Sequence, residues 1–264
     1  MSHRHALLGA VVAGISLVGA TGIAAEAARE PIEAVRLPWA APCKTVQHGT
    51  TEGIVTTSNG EAPSQSNPPS TAVLKLRVQG VEATLPDANA KALFLDEPAR
   101  TVKLTQIAKL SYRTYQLVDG VALWSYQLPI DINGGTLQSG DFTTLVYEPY
   151  QDAQAITKNK WQTWDALRGG NAKWWSTRTL ANIPTGGGQA HPTAWSAIVA
   201  AYPDATVLAY GTDLGKGTPG ASSRVDDLVF GARTGCVKHQ WSTRYARTSH
   251  HISILQWWRR LLHF

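Results

Sequence analysis

Six apolar residues at alternate positions, Ala122, Trp124, Tyr126, Leu128, Ile130 and Ile132, constrain this chain more than any other stretch. Only a β-strand puts every second side chain on one face, so the run predicts a strand with one strongly apolar side and a bend at Pro129. Shorter runs repeat the pattern. Ala72, Leu74, Leu76 and Val78 alternate with Lys75 and Arg77, and Val102 and Leu104 alternate with Lys103 and Thr105. Strands are also expected over 142–147, 161–167, 172–177, 206–210 and 224–230. One helix is expected, over 191–202, with Pro192 suited to its first turn and Pro203 ending it. Many short strands without intervening helices predict an all-β fold, an antiparallel β-sandwich or jelly roll with one short helix. There is no internal repeat.

The ends of the chain differ from this body. Residues 1–27 read as an export signal: His3, Arg4 and His5 precede an uncharged run of 20 residues, Ala6 to Ala25, and Ala25-Glu26-Ala27 supplies a small-residue cleavage site. The run is long enough for an uncleaved anchor, but its Gly, Ala, Ser and Thr content favours cleavage and a secreted, extracellular product. Removing 27 of 264 residues leaves 237, a size for one domain. The domain is placed at 28–242, with a flexible, turn-rich loop at 59–71. Residues 243–264 form a basic tail in which Ile254, Trp257, Trp258 and Leu261 share one helical face and Arg259 and Arg260 the other. Such a tail is suited to peripheral contact with a membrane or envelope, or to docking on the domain.

Charge narrows the partners. The chain carries 24 basic and 19 acidic residues, net +5. Residues 28–236 hold 18 of each, so the body is neutral (18 − 18 = 0), and the excess lies in the last 28 residues. Nucleic acid is therefore not an expected partner, because it needs a basic patch on the folded domain. Two cysteines in an exported chain, Cys43 and Cys236, are most simply a disulfide joining the two ends of the domain, the alternative being two buried thiols.

Trp161-Gln-Thr-Trp164-Asp165 and Trp174-Trp175-Ser-Thr-Arg178, flanking Gly169-Gly170, read as a hairpin in which facing positions sum to 339. That register pairs Trp164 with Trp175 on a core face and gathers Trp161, Asp165, Trp174 and Arg178 on the other. Two indoles beside a carboxylate and a guanidinium make a carbohydrate-binding surface; the competing reading is ordinary packing with a cross-strand charge network. Asp226 and Asp227 fall on opposite sides of one strand, so one of them points inward and needs a partner. A structural Ca²⁺ would serve, as would backbone N–H groups of a neighbouring loop. Asp131-Ile-Asn133-Gly134-Gly135 opens like a calcium loop without its later ligands. Glu148 has no second carboxylate at a spacing one strand would present to the same sugar, and no G-x-S-x-G elbow occurs. No catalytic residue is assigned.

With these motifs in view, residues from about 110 to 231 resemble a family of exported actinobacterial β-sandwich proteins. The likeness rests on Leu110-Ser-Tyr-Arg-Thr-Tyr115, Phe142-Thr-Thr-Leu-Val-Tyr-Glu-Pro-Tyr150, Trp161-Gln-Thr-Trp-Asp165, Trp174-Trp-Ser-Thr-Arg178, Tyr202-Pro-Asp-Ala205 and Val225-Asp-Asp-Leu228. It implies a lectin-like sandwich similar to concanavalin-like and carbohydrate-binding modules, and carries no established activity. The expectation is a secreted, non-catalytic module that binds a polysaccharide or cell-envelope glycan. The alternatives are a glycoside hydrolase or lyase that uses Glu148 or Asp131, and a structural or adhesion protein acting through its tail.

Overall fold

Strands form where the chain alternates apolar and polar residues, because a pleated segment sends successive side chains to opposite faces. The computed structural model describes residues 42–58, 71–138, 140–215 and 217–246. Along them run β1 (Lys44–His48), β2 (Ile54–Ser58), β3 (Val73–Leu76), β4 (Val81–Thr84), β5 (Ala90–Asp96), β6 (Val102–Lys103), β7 (Ile107–Gln116) and β8 (Ser125–Asp131). There follow β9 (Phe142–Tyr147), β10 (Trp161–Asp165), β11 (Lys173–Ser176), β12 (Thr193–Ala194), α1 (Trp195–Ala201), β13 (Thr206–Val207), β14 (Tyr210–Leu214), β15 (Ser222–Ala232) and β16 (Gly235–Trp241). The expected signal (1–27), the loop at 59–71 except its last residue, and the tail beyond 246 lie outside the described residues.

The strands form two sheets, so the all-β sandwich expected from the sequence is the fold observed. The spine of the seven-stranded sheet is β15. Its first half pairs with β4, which carries β3; its second half pairs with β16, which carries β1; and β7, followed by β10, runs along the other edge. The nine-stranded sheet is ordered β12-β11-β9-β8-β14-β5-β2, with β13 beside β14 on β8 and β6 outside β13. All these pairings are antiparallel except β1 with β16. Cys43 and Cys236 form the expected disulfide. In that parallel ladder Lys44 faces Val237, so the bridge is its next rung. Closing a loop over a sequence separation of 193 stabilises the fold by roughly 5 kcal/mol in the loop-closure account.

The core lies between the inner faces. Tyr112, Trp164, Val225 and Phe230 from one sheet meet Tyr126, Leu128, Tyr147 and Trp174 from the other. Tyr210 stacks on Phe230 across the gap at 4.3 Å, and Tyr112 meets Tyr126 edge-on at 5.8 Å. Each ring removed from water contributes on the order of 2 kcal/mol. Buried indoles need acceptors, and Trp124, Trp164 and Trp174 donate to Ser223 O, Thr114 Oγ1 and Ala166 O.

Three local expectations change. The helix begins at Trp195 because Thr193 and Ala194 pair with Trp174 and Lys173 as a strand instead. The run at 206–210 is divided, since Leu208 and Ala209 both donate to the Pro129 carbonyl. β8 runs unbroken through Pro129, yet it is buried on both sides rather than one. Among the described residues no helix is long and apolar enough to cross a membrane.

Candidate functional site

The hairpin expected around Gly169-Gly170 does not form. β10 pairs with β7, Trp161 facing Tyr115, whereas β11 pairs with β9, Trp174 facing Tyr147. The two segments therefore lie in different sheets, joined by a turn in which Arg168, Gly169 and Gly170 all have positive φ. Trp164 faces the core as expected; Trp174, not Trp175, is its buried counterpart, with no exposed surface. Trp161, Asp165, Trp174 and Arg178 consequently share no face. Asp165 accepts from the Leu167 N–H at 2.9 Å, and Arg178 lies exposed beyond the end of β11.

Trp161 sits on the outer face of the seven-stranded sheet with partners the hairpin did not provide. Arg113 lies over its ring at 5.0 Å and also bonds Asp227 at 3.1 Å. Arg224 lies over Tyr115 at 5.0 Å and bonds Glu82 at 3.0 Å, and Arg77 makes two 2.9 Å bonds to the same Glu82. Burial would push the Glu82 carboxyl up, but the bonds from Arg77 and Arg224 hold it below its ordinary value. Every charge named here has a protein partner.

The Asp226-Asp227 pair does not fit a calcium site. Asp227 has φ 50° within an irregularity of β15, where strand alternation breaks and the edge passes from β4 to β16. Asp226 is buried and accepts the Trp241 N–H at 2.9 Å, whereas Asp227 takes Gln240 at 2.6 Å and Arg113. The carboxylates are splayed and already matched by protein donors. Among the described residues no three His, Cys, Asp or Glu side chains are placed to hold a metal ion. Asp131 is likewise a turn cap, accepting from the N–H groups of Asn133 and Gly134.

The outer face of the nine-stranded sheet is different. Trp175, half-buried, donates its indole N–H to Glu148 Oε2 at 2.8 Å, and Tyr150 and Gln189 donate to the same oxygen at 3.3 and 3.4 Å. One position beyond the last β8–β9 pair, Glu148 comes level with Ser125, and Ser125 pairs with Asp213 on β14. Ser125, Gln127 and Asp213 point away from the core, yet all three are buried. Gln127 donates to Ser125 Oγ at 2.7 Å, and Lys91 bonds Asp213 Oδ2 at 2.9 Å. Asp213 Oδ1 is buried without a hydrogen-bond partner among the described residues. Burial pushes the Asp213 carboxyl above its ordinary value against the pull of Lys91, and the charge of Glu148 adds to the rise.

Glu148 and Trp175 lie in segments the sequence singles out. Asp213, Ser125 and Gln127 were missed, because nothing in a single strand indicates which distant strands will lie beside it. No family model matches the chain, and no curated protein matches it.

Proposed function

We propose that this is an exported β-sandwich that binds a polysaccharide or cell-envelope glycan on the outer face of its nine-stranded sheet. The observation that carries the reading is the row from Trp175 through Glu148 and Ser125 to Asp213: an indole platform beside the half-buried carboxylate of Glu148 and, along the same outward-facing row, the buried carboxylate of Asp213, whose Oδ1 has no hydrogen-bond partner among the described residues. A sugar offers an apolar C–H face to the ring and hydroxyl donors to the carboxylates. The export signal and the formed disulfide support a secreted protein. The test is retention of the mature protein on immobilised polysaccharides and cell-wall preparations. Retention that saturates, and is lost in both Trp175→Ala and Glu148→Gln, supports the site. Retention that survives both changes places binding elsewhere.

A second reading, hydrolysis of the bound glycan, is favoured by one observation: burial raises the Asp213 carboxyl, whereas Glu148 is partly open and takes three donors on one oxygen. Carboxyl groups with contrasting environments are what an acid and a base require. Two strand spacings put their Cα atoms about 10 Å apart, room for a water between carboxyl groups as in inverting glycosidases. Release of reducing ends that disappears in Glu148→Gln supports this reading. Binding without release leaves a pure binding module.

A further inference from the structure

Where β1 closes the sandwich lies a polar chain that the glycan face does not use. His48 Nε2 is 3.0 Å from His239 Nδ1, and His239 Nε2 is 3.0 Å from the Tyr210 hydroxyl and 3.3 Å from Asp96 Oδ2. Tyr210 in turn donates to Asp96 at 3.0 Å. The rings are tightly held: His48 stacks on Trp241 at 4.9 Å, and Phe94 meets His48, His239 and Trp241 edge-on at 5.6, 5.0 and 5.0 Å. His239 is buried and His48 is half-buried at the rim.

Two imidazoles in nitrogen-to-nitrogen contact have room for one hydrogen between them. With one, either ring donates to the other. With both nitrogens of both rings carrying hydrogens, two N–H dipoles and two positive charges oppose each other where water cannot separate them. Charged and titratable groups face the pair from two further strands, Asp96 on β5 and Tyr210 on β14; Phe94 and Trp241 complete the surroundings without charge. Burial, followed by the neighbouring His239 charge, holds the His48 imidazole down to about 4, and Asp96 pulls the other way.

The strand that carries His48 has few other side-chain ties. Lys44, Thr45 and Gln47 face solvent, and only Val46 and His48 turn inward, neither fully buried. One end of β1 is fixed by the Cys43–Cys236 bridge; the other depends on the ladder to β16, the bond from Ser242 N to His48 O at 3.0 Å, and the imidazole pair.

We infer that the His48–His239 contact is an acid-opened latch: protonation of both facing nitrogens lifts the His48 end of β1 from β16, uncovering Phe94 and Trp241, while the disulfide keeps the Cys43 end attached. The test is hydrogen exchange, read by mass spectrometry on the oxidised, mature protein between pH 7.5 and 4. Exchange over residues 44–48 should rise about tenfold or more beyond its intrinsic pH dependence while β8 and β9 stay protected. His48→Gln keeps a donor toward His239 and takes no second proton, so it should abolish the acid step; if that variant fails to fold, His48→Phe, which keeps the stack on Trp241, makes the same comparison. The latch is overturned if residues 44–48 stay protected to pH 4, if the step persists without His48, or if all strands lose protection together.

Discussion

The two outer faces of the sandwich use the same residue types to different ends. On the seven-stranded sheet, Trp161 and Tyr115 each lie under a guanidinium, and Arg113, Arg224 and Arg77 end on Asp227 and Glu82. In that network every named charge has a partner within the protein. On the nine-stranded sheet, Trp175 is fixed by Glu148, but the adjoining polar row ends in a buried carboxylate oxygen without a partner among the described residues. An aromatic ring beside charges is therefore a poor guide to a binding site. What separates the faces is whether the protein itself satisfies the polar atoms.

Four substitutions break or sharpen this contrast. Glu82→Ala should have the largest effect, destabilising the domain by about 2 kcal/mol in urea, because it leaves Arg77 and Arg224 without their shared anion; both are partly exposed, which keeps the loss below that of a fully buried pair. Its glycan retention should be unchanged, and a loss of retention in the folded variant would undo the contrast. Trp175→Ala should weaken retention about tenfold, ~1.4 kcal/mol, through loss of the platform. A drop in melting temperature with retention intact would make Trp175 a packing residue. Trp161→Ala, which loses the Arg113 contact, should cost about 0.5–1 kcal/mol of stability and no retention.

The smallest effect concerns pH. Burial raises the Asp226 carboxyl to about 6. Because the folded protein holds this proton more tightly than the unfolded chain, the contribution of Asp226 to stability falls as pH rises from about 4 to 6. Asp226→Asn retains an acceptor for the Trp241 N–H and removes the charge, so that decline should vanish from denaturation midpoints measured across the window. His48 acts in the opposite sense: its lowered value means stability is lost as pH falls from 6.5 toward 4. The two trends partly cancel in any global measurement, which is why the latch has to be read locally on β1.

The sequence by itself determined the strand-rich class and the cysteine pair. Period-two alternation is a local property, and with only two cysteines in the chain there is only one intramolecular disulfide to form. Phe142–Tyr147 is a strand with the expected bounds, and Asp226, the buried member of the Asp226-Asp227 pair, has the backbone donor that burial demands. Only the tertiary structure decided strand partnership. A Gly-Gly turn serves a hairpin or a crossover between sheets equally well, and the choice fell to β7 and β9, strands distant in the chain that claimed the two tryptophan segments separately. That choice buried Trp174, turned Trp175 outward and aligned Glu148 with Asp213 across Ser125. His48 and His239, 191 positions apart, likewise meet only because β1 runs parallel to β16. Such contacts are settled by which long-range pairings bury the most apolar surface, and no single segment encodes that competition.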